Sequence, residues 1–238
     1  MPAHRSDPTS SVIELNDVVF CWPGASSPTL DIAHLQIARG EHLFVKGPSG
    51  CGKSTLLSLL TGINTATQGV VSLLGSDLSL LSASQRDRFR ADHIGYIFQQ
   101  FNLLPYLSVL DNVTLPCHFS ALRKQQVDGP LSHKAQSLLE RLHLPSALLN
   151  KPVTELSIGQ QQRVAAARAL MGEPQLIIAD EPTSALDYDN REAFIALLRE
   201  EAERVGSTLV FVSHDPTLEK LFERSVHLPT LNRAGGWQ

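Results

Sequence analysis

The segment GPSGCGKS, residues Gly47–Ser54, decides the fold of this chain. It matches the pattern GxxxxGK[ST] and lies between a short apolar run, Leu43–Val45, and a leucine cluster that begins at Leu56. A buried strand, a glycine-rich turn and a helix in this order form a loop whose backbone amides surround phosphate groups. The sequence therefore predicts a phosphate-binding loop, with the Lys53 charge directed at the phosphates and the Ser54 hydroxyl available to Mg²⁺. A chance glycine-rich turn is the alternative, and the flanking strand and helix argue against it.

Cys51 lies inside this loop, and two interpretations of it are open. The N-terminus of the following helix could lower the pKa of the thiol and make it reactive. Alternatively the residue is a spacer without chemistry, which is the interpretation we favour.

A second motif, LIIADE at Leu176–Glu181, is an apolar strand that ends in two carboxylates. Ligands collect at the carboxyl ends of parallel strands, so these acids are expected beside the phosphate loop. We expect Asp180 to orient Mg²⁺ and Glu181 to polarise the water that attacks the γ-phosphate. The alternative is a strand that ends in solvated acids, which is common. The phosphate loop earlier in the chain favours the functional interpretation.

The remaining pattern favours an α/β fold with a mostly parallel sheet. Strands that alternate with helices are typical of this fold. Residues Tyr188–Val205 have a helical pattern and lie between two apolar runs that predict strands, which supports the assignment. Residues from about 85 to 171 are mostly helical in pattern and predict an inserted lobe, within one domain that spans 12–231. Residues 1–11 and 232–238 are expected to be flexible tails. The apolar runs that predict strands are Leu43–Val45, Val70–Leu74, Ile94–Phe98, Leu176–Ala179 and Thr208–Val212.

Composition excludes several classes of function. The chain has 238 residues, 42% of them hydrophobic, which is enough for a sizeable core. A net charge of −4 and the absence of a basic run argue against a nucleic-acid partner. Three dispersed cysteines fit neither a disulfide framework nor a zinc site, which favours a reducing cytoplasm. The first residues lack the apolar segment of a secretory signal, and we expect no direct insertion into a membrane.

The segment LSIGQQQR, Leu156–Arg163, resembles the LSGGQ signature of ABC ATPases, and it precedes the acidic strand as in that family. The resemblance covers the chain from about Val12 to Leu231 and rests on an ordered set of motifs. Gln99 resembles the Q-loop, Asp187 the D-loop and His214 the H-loop, and Trp22 lies where the family usually has a tyrosine that stacks on adenine.

This resemblance implies the ABC ATPase fold: a P-loop core with a mostly parallel sheet, an antiparallel β subdomain and an inserted α-helical lobe. It implies ATP and Mg²⁺ as cofactors. The catalytic residues would be Glu181, His214, Gln99 and Lys53. The metal ligands would be Ser54, Gln99 and Asp180. The nucleotide-binding residues would be Trp22, Gly47, Pro48, Ser49, Gly50, Cys51, Gly52, Lys53, Ser54, Thr55, Ser157, Gly159, Gln160 and Asp187.

Two positions depart from the family pattern. Ile158 replaces the first glycine of the signature, but Ser157 and Gly159 remain, so we expect activity to survive. Trp22 replaces the usual tyrosine and keeps an aromatic face for stacking. The alternative for Trp22 is a hydrophobic residue at the end of a strand.

The resemblance also implies partners. Two copies would face head to tail, each ATP lying between one phosphate loop and the Ser157 helix of the other copy. Membrane permease subunits would bind a groove beside Gln99, where Phe98–Tyr106 is apolar and aromatic, with core packing as the alternative. The protein would then lie at the inner face of the cell membrane.

Among subfamilies, the motifs are most similar to the lipoprotein-releasing, macrolide-efflux and cell-division ATPases that work with FtsX-like permeases. An importer ATPase and a soluble ABC protein acting on nucleic acid remain alternatives.

Overall fold

Two β-sheets of different kinds build the fold around the phosphate loop. A computed structural model of the chain describes residues 11–184 and 188–235. The strands are β1 Ser11–Phe20, β2 Leu30–Ala38, β3 His42–Lys46, β4 Gln68–Leu73, β5 Ser76–Asp77, β6 Ile94–Ile97, β7 Leu176–Asp180, β8 Thr208–Ser213 and β9 Arg224–His227. The helices are α1 Lys53–Leu60, α2 Ala83–His93, α3 Val109–Thr114, α4 Pro116–Phe119, α5 Ala121–Gln125, α6 Leu131–Arg141, α7 Ile158–Leu170, α8 Tyr188–Arg204 and α9 Leu228–Leu231. Short 3₁₀ turns cover Leu78–Leu80, Ser146–Leu148, Val153–Glu155 and Pro216–Leu221.

The larger sheet has five parallel strands in the order β6-β7-β8-β3-β9. Lys46 at the end of β3 pairs with Ser213, and Asp180 at the end of β7 pairs with Val212. The carboxyl ends of β3, β7 and β8 therefore meet at one edge. This register brings the phosphate loop, the acidic motif and the segment around His214 to the same edge, as the strand pattern predicts.

Side chains of the parallel sheet alternate between two apolar clusters. Phe44, Ile177 and Phe211 face the cluster that includes the helical lobe. Their chain neighbours Val45 and Val210 face the cluster shared with α1 and the antiparallel sheet. Because both faces are covered, the strands carry continuous apolar runs, which is why sequence patterning finds them.

The smaller sheet is antiparallel, with the order β2-β1-β4-β5. Its central strand, β1, pairs with β2 on one side and with β4 on the other. Trp22 follows β1 and Thr29 precedes β2, so the connection between these strands carries both residues toward the phosphate loop. The predicted combination of a parallel core, an antiparallel β subdomain and a helical lobe is confirmed.

The helical part of the chain is interrupted by one strand of the core. β6 pairs with β7 at the edge of the parallel sheet, inside the range of about 85 to 171 for which the sequence predicts a lobe. Helices α3, α6 and α7 pack on one another, α5 packs on α2 and α4, and α7 also packs against β6 and α8. Helix α7, which begins within the signature segment and which we call the signature helix, therefore lies between the other helices of the lobe and the core sheet.

The predicted flexible tail that begins at Asn232 is wrong for its first two residues. Asn232 is buried; its Oδ1 accepts the Asp31 amide at 2.8 Å, and its Nδ2 donates to the Thr29 carbonyl at 3.0 Å. Arg233 forms an ion pair with Asp31 at 2.7 Å. These contacts join positions far apart in the chain, and local patterning carries no signal for them.

Candidate nucleotide-binding site

The phosphate loop turns sharply between β3 and α1. Gly50 and Gly52 have φ values of 83° and 96°, a left-handed backbone that glycine adopts without steric cost. Helix α1 begins directly afterwards at Lys53, and its first amides have no partner within the helix. The loop therefore ends in a helix N-terminus suited to an anion.

Lys53 is buried, and its charge is held within the loop. Its Nζ donates to the carbonyls of Gly47 and Pro48 at 2.8 and 3.0 Å. The same atom lies 3.6 Å from Glu181 Oε1. The ammonium group is thus positioned between the loop and the acidic end of β7.

Cys51 lies behind the loop and not in the cleft. Its side chain is fully buried, and a Cβ built on Gly47 would lie 2.5 Å from its Sγ. Burial raises the pKa of the Cys51 thiol, and nearby Lys53 lowers it by a smaller amount. Because the net shift is upward, the thiol is not activated, and the residue is a packing element that requires glycine at position 47.

The carboxyl end of β7 carries two acids in different environments. Asp180 is partly buried and accepts a hydrogen bond from the Tyr96 hydroxyl at 3.2 Å. Burial raises the pKa of Asp180; the Tyr96 hydrogen bond lowers it, and the neighbouring Glu181 charge raises it further. Burial and the Asp180 charge also raise the pKa of Tyr96. A cation at Asp180 would therefore relieve an unfavourable buried charge.

Glu181 is fixed by its backbone and by two side chains. Its φ is 46°, a left-handed conformation that costs a non-glycine residue about 1–3 kcal/mol. Its amide donates to the Val212 carbonyl at 2.9 Å, and its Oε2 lies 2.9 Å from His214 Nδ1. The carboxylate is therefore held between Lys53 and His214, and the strained backbone marks it as a functional candidate.

One cleft of about 450 Å³ brings most of the predicted site residues together. Trp22 forms a T-shaped contact with Phe20, with ring centroids 5.0 Å apart, and is 44% exposed, so part of its indole ring is open for stacking. Gly47, Pro48 and Cys51 belong to the loop but do not line the cleft. The lining residues are Trp22, Thr29, Ser49, Gly50, Gly52, Lys53, Ser54, Thr55, Gln99, Asp180 and Glu181.

Two residues of this region, Thr29 and Tyr96, are not among those that the sequence predicts. Tyr96 carries a hydroxyl on a buried strand next to the acidic one, a signal that could have been followed. Thr29 lies in a polar connection without a pattern, so nothing in the sequence distinguishes it.

The signature residues form a second cleft, of about 440 Å³, that shares no lining residue with the first. Ser157 caps α7: its Oγ accepts the Gln160 amide at 3.3 Å, and Gln160 Oε1 accepts the Ser157 amide at 2.9 Å. Ile158 is 53% exposed beside them. Asp187 lies outside the described residues. The cleft is lined by His143, Pro145, Ser157, Gly159, Gln160, Gln162, Arg163, Asn190 and Phe194.

Comparison with known proteins establishes the family. The model of the ABC transporter family matches residues 30–184, which include the phosphate loop, the signature and the acidic motif. The chain belongs to the ABC transporter family. It is an ABC ATPase: an ATP-binding and ATP-hydrolysing subunit of the transporter type.

Two curated relatives agree with the subfamily that the motifs indicate. The ABC ATPase is 39% identical over 210 residues to the lipoprotein-releasing system ATP-binding protein LolD of Shewanella denitrificans, covering 88% of each chain. It is 39% identical over 220 residues to the macrolide export ATP-binding/permease protein MacB of Shigella flexneri, covering 91% of this chain and 33% of MacB. It therefore spans about a third of the MacB relative's length.

Solved structures agree with the fold. The ATP-binding cassette MJ0796, in a dimeric post-hydrolysis state bound to ADP and Pi, superposes with a TM-score of 0.79 at 33% identity, covering 95% of this chain and 97% of that one. In the part of this ABC ATPase that the structure describes, no helix combines the length and apolar character needed to span a membrane.

Proposed function

We propose that this ABC ATPase drives export, extraction or mechanotransmission through a separate FtsX-like permease, and that it works as an ATP-dependent head-to-tail homodimer at the inner face of the cell membrane. The observation that carries the dimer is the pair of clefts that share no lining residue. Because the signature and the phosphate loop of one chain line separate clefts, we infer that the signature acts on the phosphate loop of a second copy. The names of the LolD and MacB relatives support release or export.

We assign Mg²⁺ to the cleft because the donor set fits the ion. Ser54, Gln99 and Asp180 line it and offer hydroxyl, amide and carboxylate oxygens, the hard ligands that Mg²⁺ prefers. When bound, the ion supplies positive charge to the phosphates. The raised pKa of Asp180 is consistent with a carboxylate that needs a cation to remain charged beside Glu181.

The chain's own groups account for the hydrolytic step. Lys53 and the loop amides bind the phosphates, and Trp22 stacks on the base. Glu181 orients the attacking water and accepts its proton, while His214 holds Glu181 and contacts the edge of the γ-phosphate. Because Lys53 lies 3.6 Å from Glu181, the entry of a triphosphate would replace that ion pair and leave the carboxylate available to water.

The signature helix completes the site in the other copy. Ser157 caps α7, Gly159 and Gln160 lie in its first turn, and all three line the second cleft. The helix N-terminus favours a negative charge, so the γ-phosphate of the partner's ATP stabilises the closed dimer. Loss of that phosphate on hydrolysis allows the two copies to separate.

An apolar groove of about 480 Å³ beside Gln99 is our candidate for the permease contact. Ile63 is 61% exposed, Phe98 39% and Phe119 69%, and all three line it. Phe101, in the same predicted segment, is buried in the core instead. The groove would receive a short amphipathic helix from a cytoplasmic loop of the permease.

The test uses Glu181→Gln, which should bind Mg-ATP, turn it over negligibly and accumulate as a closed dimer. Size-exclusion chromatography with and without ATP measures this, and the doubly substituted Lys53→Ala, Glu181→Gln protein is the matched control that should stay monomeric. A monomeric elution of Glu181→Gln at millimolar Mg-ATP would refute the head-to-tail dimer.

A further inference from the structure

We propose that Gln162 is a positioning residue that couples the two nucleotide sites of the dimer. Gln162 is 1% exposed, and its Nε2 donates to the Pro182 carbonyl at 2.7 Å. The bond joins the signature helix to the turn that carries Glu181. The inference rests on the proposed head-to-tail dimer, in which these two segments serve different ATP molecules.

One end of the link is the turn after β7. The Ser184 amide donates to the Glu181 carbonyl at 3.2 Å, which closes a turn over residues 181–184. Pro182 follows Glu181 directly; the planar peptide between them places the Pro182 Cα, the proline ring fixes its φ, and the 181–184 turn holds the segment, so the Pro182 carbonyl follows the backbone of Glu181. Because Glu181 is held left-handed against Lys53 and His214, a rearrangement of those contacts displaces the carbonyl that Gln162 binds.

The other end of the link is the signature cleft itself. Gln162 lines that cleft together with Ser157, Gly159 and Gln160. All four lie on the first turns of α7 or at its N-cap, so they move together with the helix. A shift of the Pro182 carbonyl is therefore passed to the surface that meets the partner's ATP.

Neighbouring side chains on α7 make contacts of a different kind. Gln161 Nε2 donates to the Leu156 carbonyl at 3.0 Å, within the signature segment. Arg163 Nη1 donates to the carbonyls of Leu142 and His143 at 3.1 Å, at the end of α6. Gln161 thus supplies a control: the same amide in the same helix, directed away from the acidic turn.

In the dimer, each chain contributes residues to both ATP sites, and the Gln162–Pro182 hydrogen bond connects these two contributions. Glu181 acts on the ATP bound by its own loop, whereas Ser157 acts on the ATP of the partner. The Gln162–Pro182 bond makes the arrangement of one site depend on occupancy of the other. Such a dependence is a coupling free energy between sites, and it appears as cooperativity in ATP concentration.

The experiment compares the ATP dependence of hydrolysis in wild type, Gln162→Met, Gln162→Asn and Gln161→Met. Methionine keeps the length of the side chain without a donor, and asparagine keeps the amide but is one methylene too short. We expect a Hill coefficient of about 1.5–2 for wild type and Gln161→Met, and about 1 for both Gln162 variants. The maximal rate of the Gln162 variants should fall roughly 3–10-fold, as for loss of one buried hydrogen bond.

A second measurement compares the shape of an activity curve, normalised to each active protein alone, and is therefore insensitive to a uniform loss of active protein. Glu181→Gln protein is mixed with active protein at constant total concentration, with the active partner either wild type or Gln162→Met. With wild type as the active partner, activity should fall more steeply than the fraction of active chains. With Gln162→Met as the active partner, activity should fall in proportion to that fraction. A Hill coefficient of about 1 in wild type, or an unchanged one in both Gln162 variants, overturns the coupling. Absence of the Glu181→Gln dimer instead overturns the proposed function.

Discussion

The phosphate-loop cleft and the signature cleft have nearly equal volumes, about 450 and 440 Å³, but very different chemistry. The first combines a buried ammonium, a helix N-terminus and two acids from the carboxyl end of one strand, β7. The second offers one capped helix N-terminus and the side chains around it. The difference indicates that the first cleft can select a nucleotide alone, whereas the second can only recognise an anion presented to it.

The strongest test of this asymmetry is Lys53→Ala. Removal of a buried cation that faces the phosphates should weaken ATP binding about 100-fold, since two charge-assisted hydrogen bonds are lost. Isothermal titration calorimetry on the isolated protein measures it. Lys46→Ala is the control, because Lys46 ends β3 and pairs with Glu219 outside the cleft. Equal affinities for the two variants would remove the assignment of the loop.

A substitution in the signature cleft should have a different effect: the affinity of the isolated protein for ATP should be unchanged, and hydrolysis should be impaired. Ser157→Ala should lower the hydrolytic rate about 10-fold, because a hydrogen bond to a charged phosphate is lost in the dimer. It should also lower the stability by about 1 kcal/mol through loss of the N-cap.

Ser82→Ala provides a matched control for that stability loss. Ser82 caps α2 with the same reciprocal contacts to Gln85 that Ser157 makes to Gln160. We expect both variants to lose similar stability in denaturant titrations, and only Ser157→Ala to lose activity. A similar loss of activity in Ser82→Ala would mean that stability alone explains the effect.

The two clefts also differ in how far the sequence predicts them. The phosphate loop and the acidic motif are contiguous segments on buried strands, where composition and period determine conformation, so β3, β7 and most cleft residues follow from pattern. The signature was found by resemblance to a family, because a serine N-cap followed by glutamines is common at helix starts.

Contacts between distant parts of the chain could not be predicted. Tyr96 meets Asp180, Asn232 meets Asp31, and Gln162 meets Pro182, all through side chains whose partners depend on tertiary packing. The sequence also leaves open whether the Cys51 thiol is reactive. The structure answers this, because burial outweighs the contributions that lower its pKa and the net shift is upward. The roles assigned to the individual site residues stay predictions.

A smaller effect concerns the stability of the nucleotide-free protein, which the charged carboxylate of Asp180 in the first cleft should lower. The pKa of Asp180 is raised in the folded state above its usual value of 3.8, so the folded protein binds the proton more tightly than the unfolded chain. Stability should therefore fall as pH rises from about 4 through the folded pKa, and Asp180→Asn should escape this loss.

We expect nucleotide-free Asp180→Asn to melt about 1–3 °C above wild type at pH 7.5, with a smaller difference near pH 4.5, and to lose Mg-ATP hydrolysis. Thermal melts at several pH values measure the difference. Asp128→Asn removes the same charge from an exposed loop and serves as the control. A gain in stability that grows toward low pH would contradict the direction of the Asp180 shift.

The smallest expected effect concerns the departure from the family signature at Ile158. This side chain is 53% exposed at the first position of α7, and the groups expected to approach the phosphate, Ser157 and Gly159, lie on either side of it. Ile158→Gly should lower the melting temperature by about 1–3 °C through helix propensity and change hydrolysis by no more than about threefold. Steady-state rates across ATP concentrations measure this. A gain of tenfold or more would show that Ile158 obstructs the partner's phosphate loop, which would make the second cleft a regulated surface.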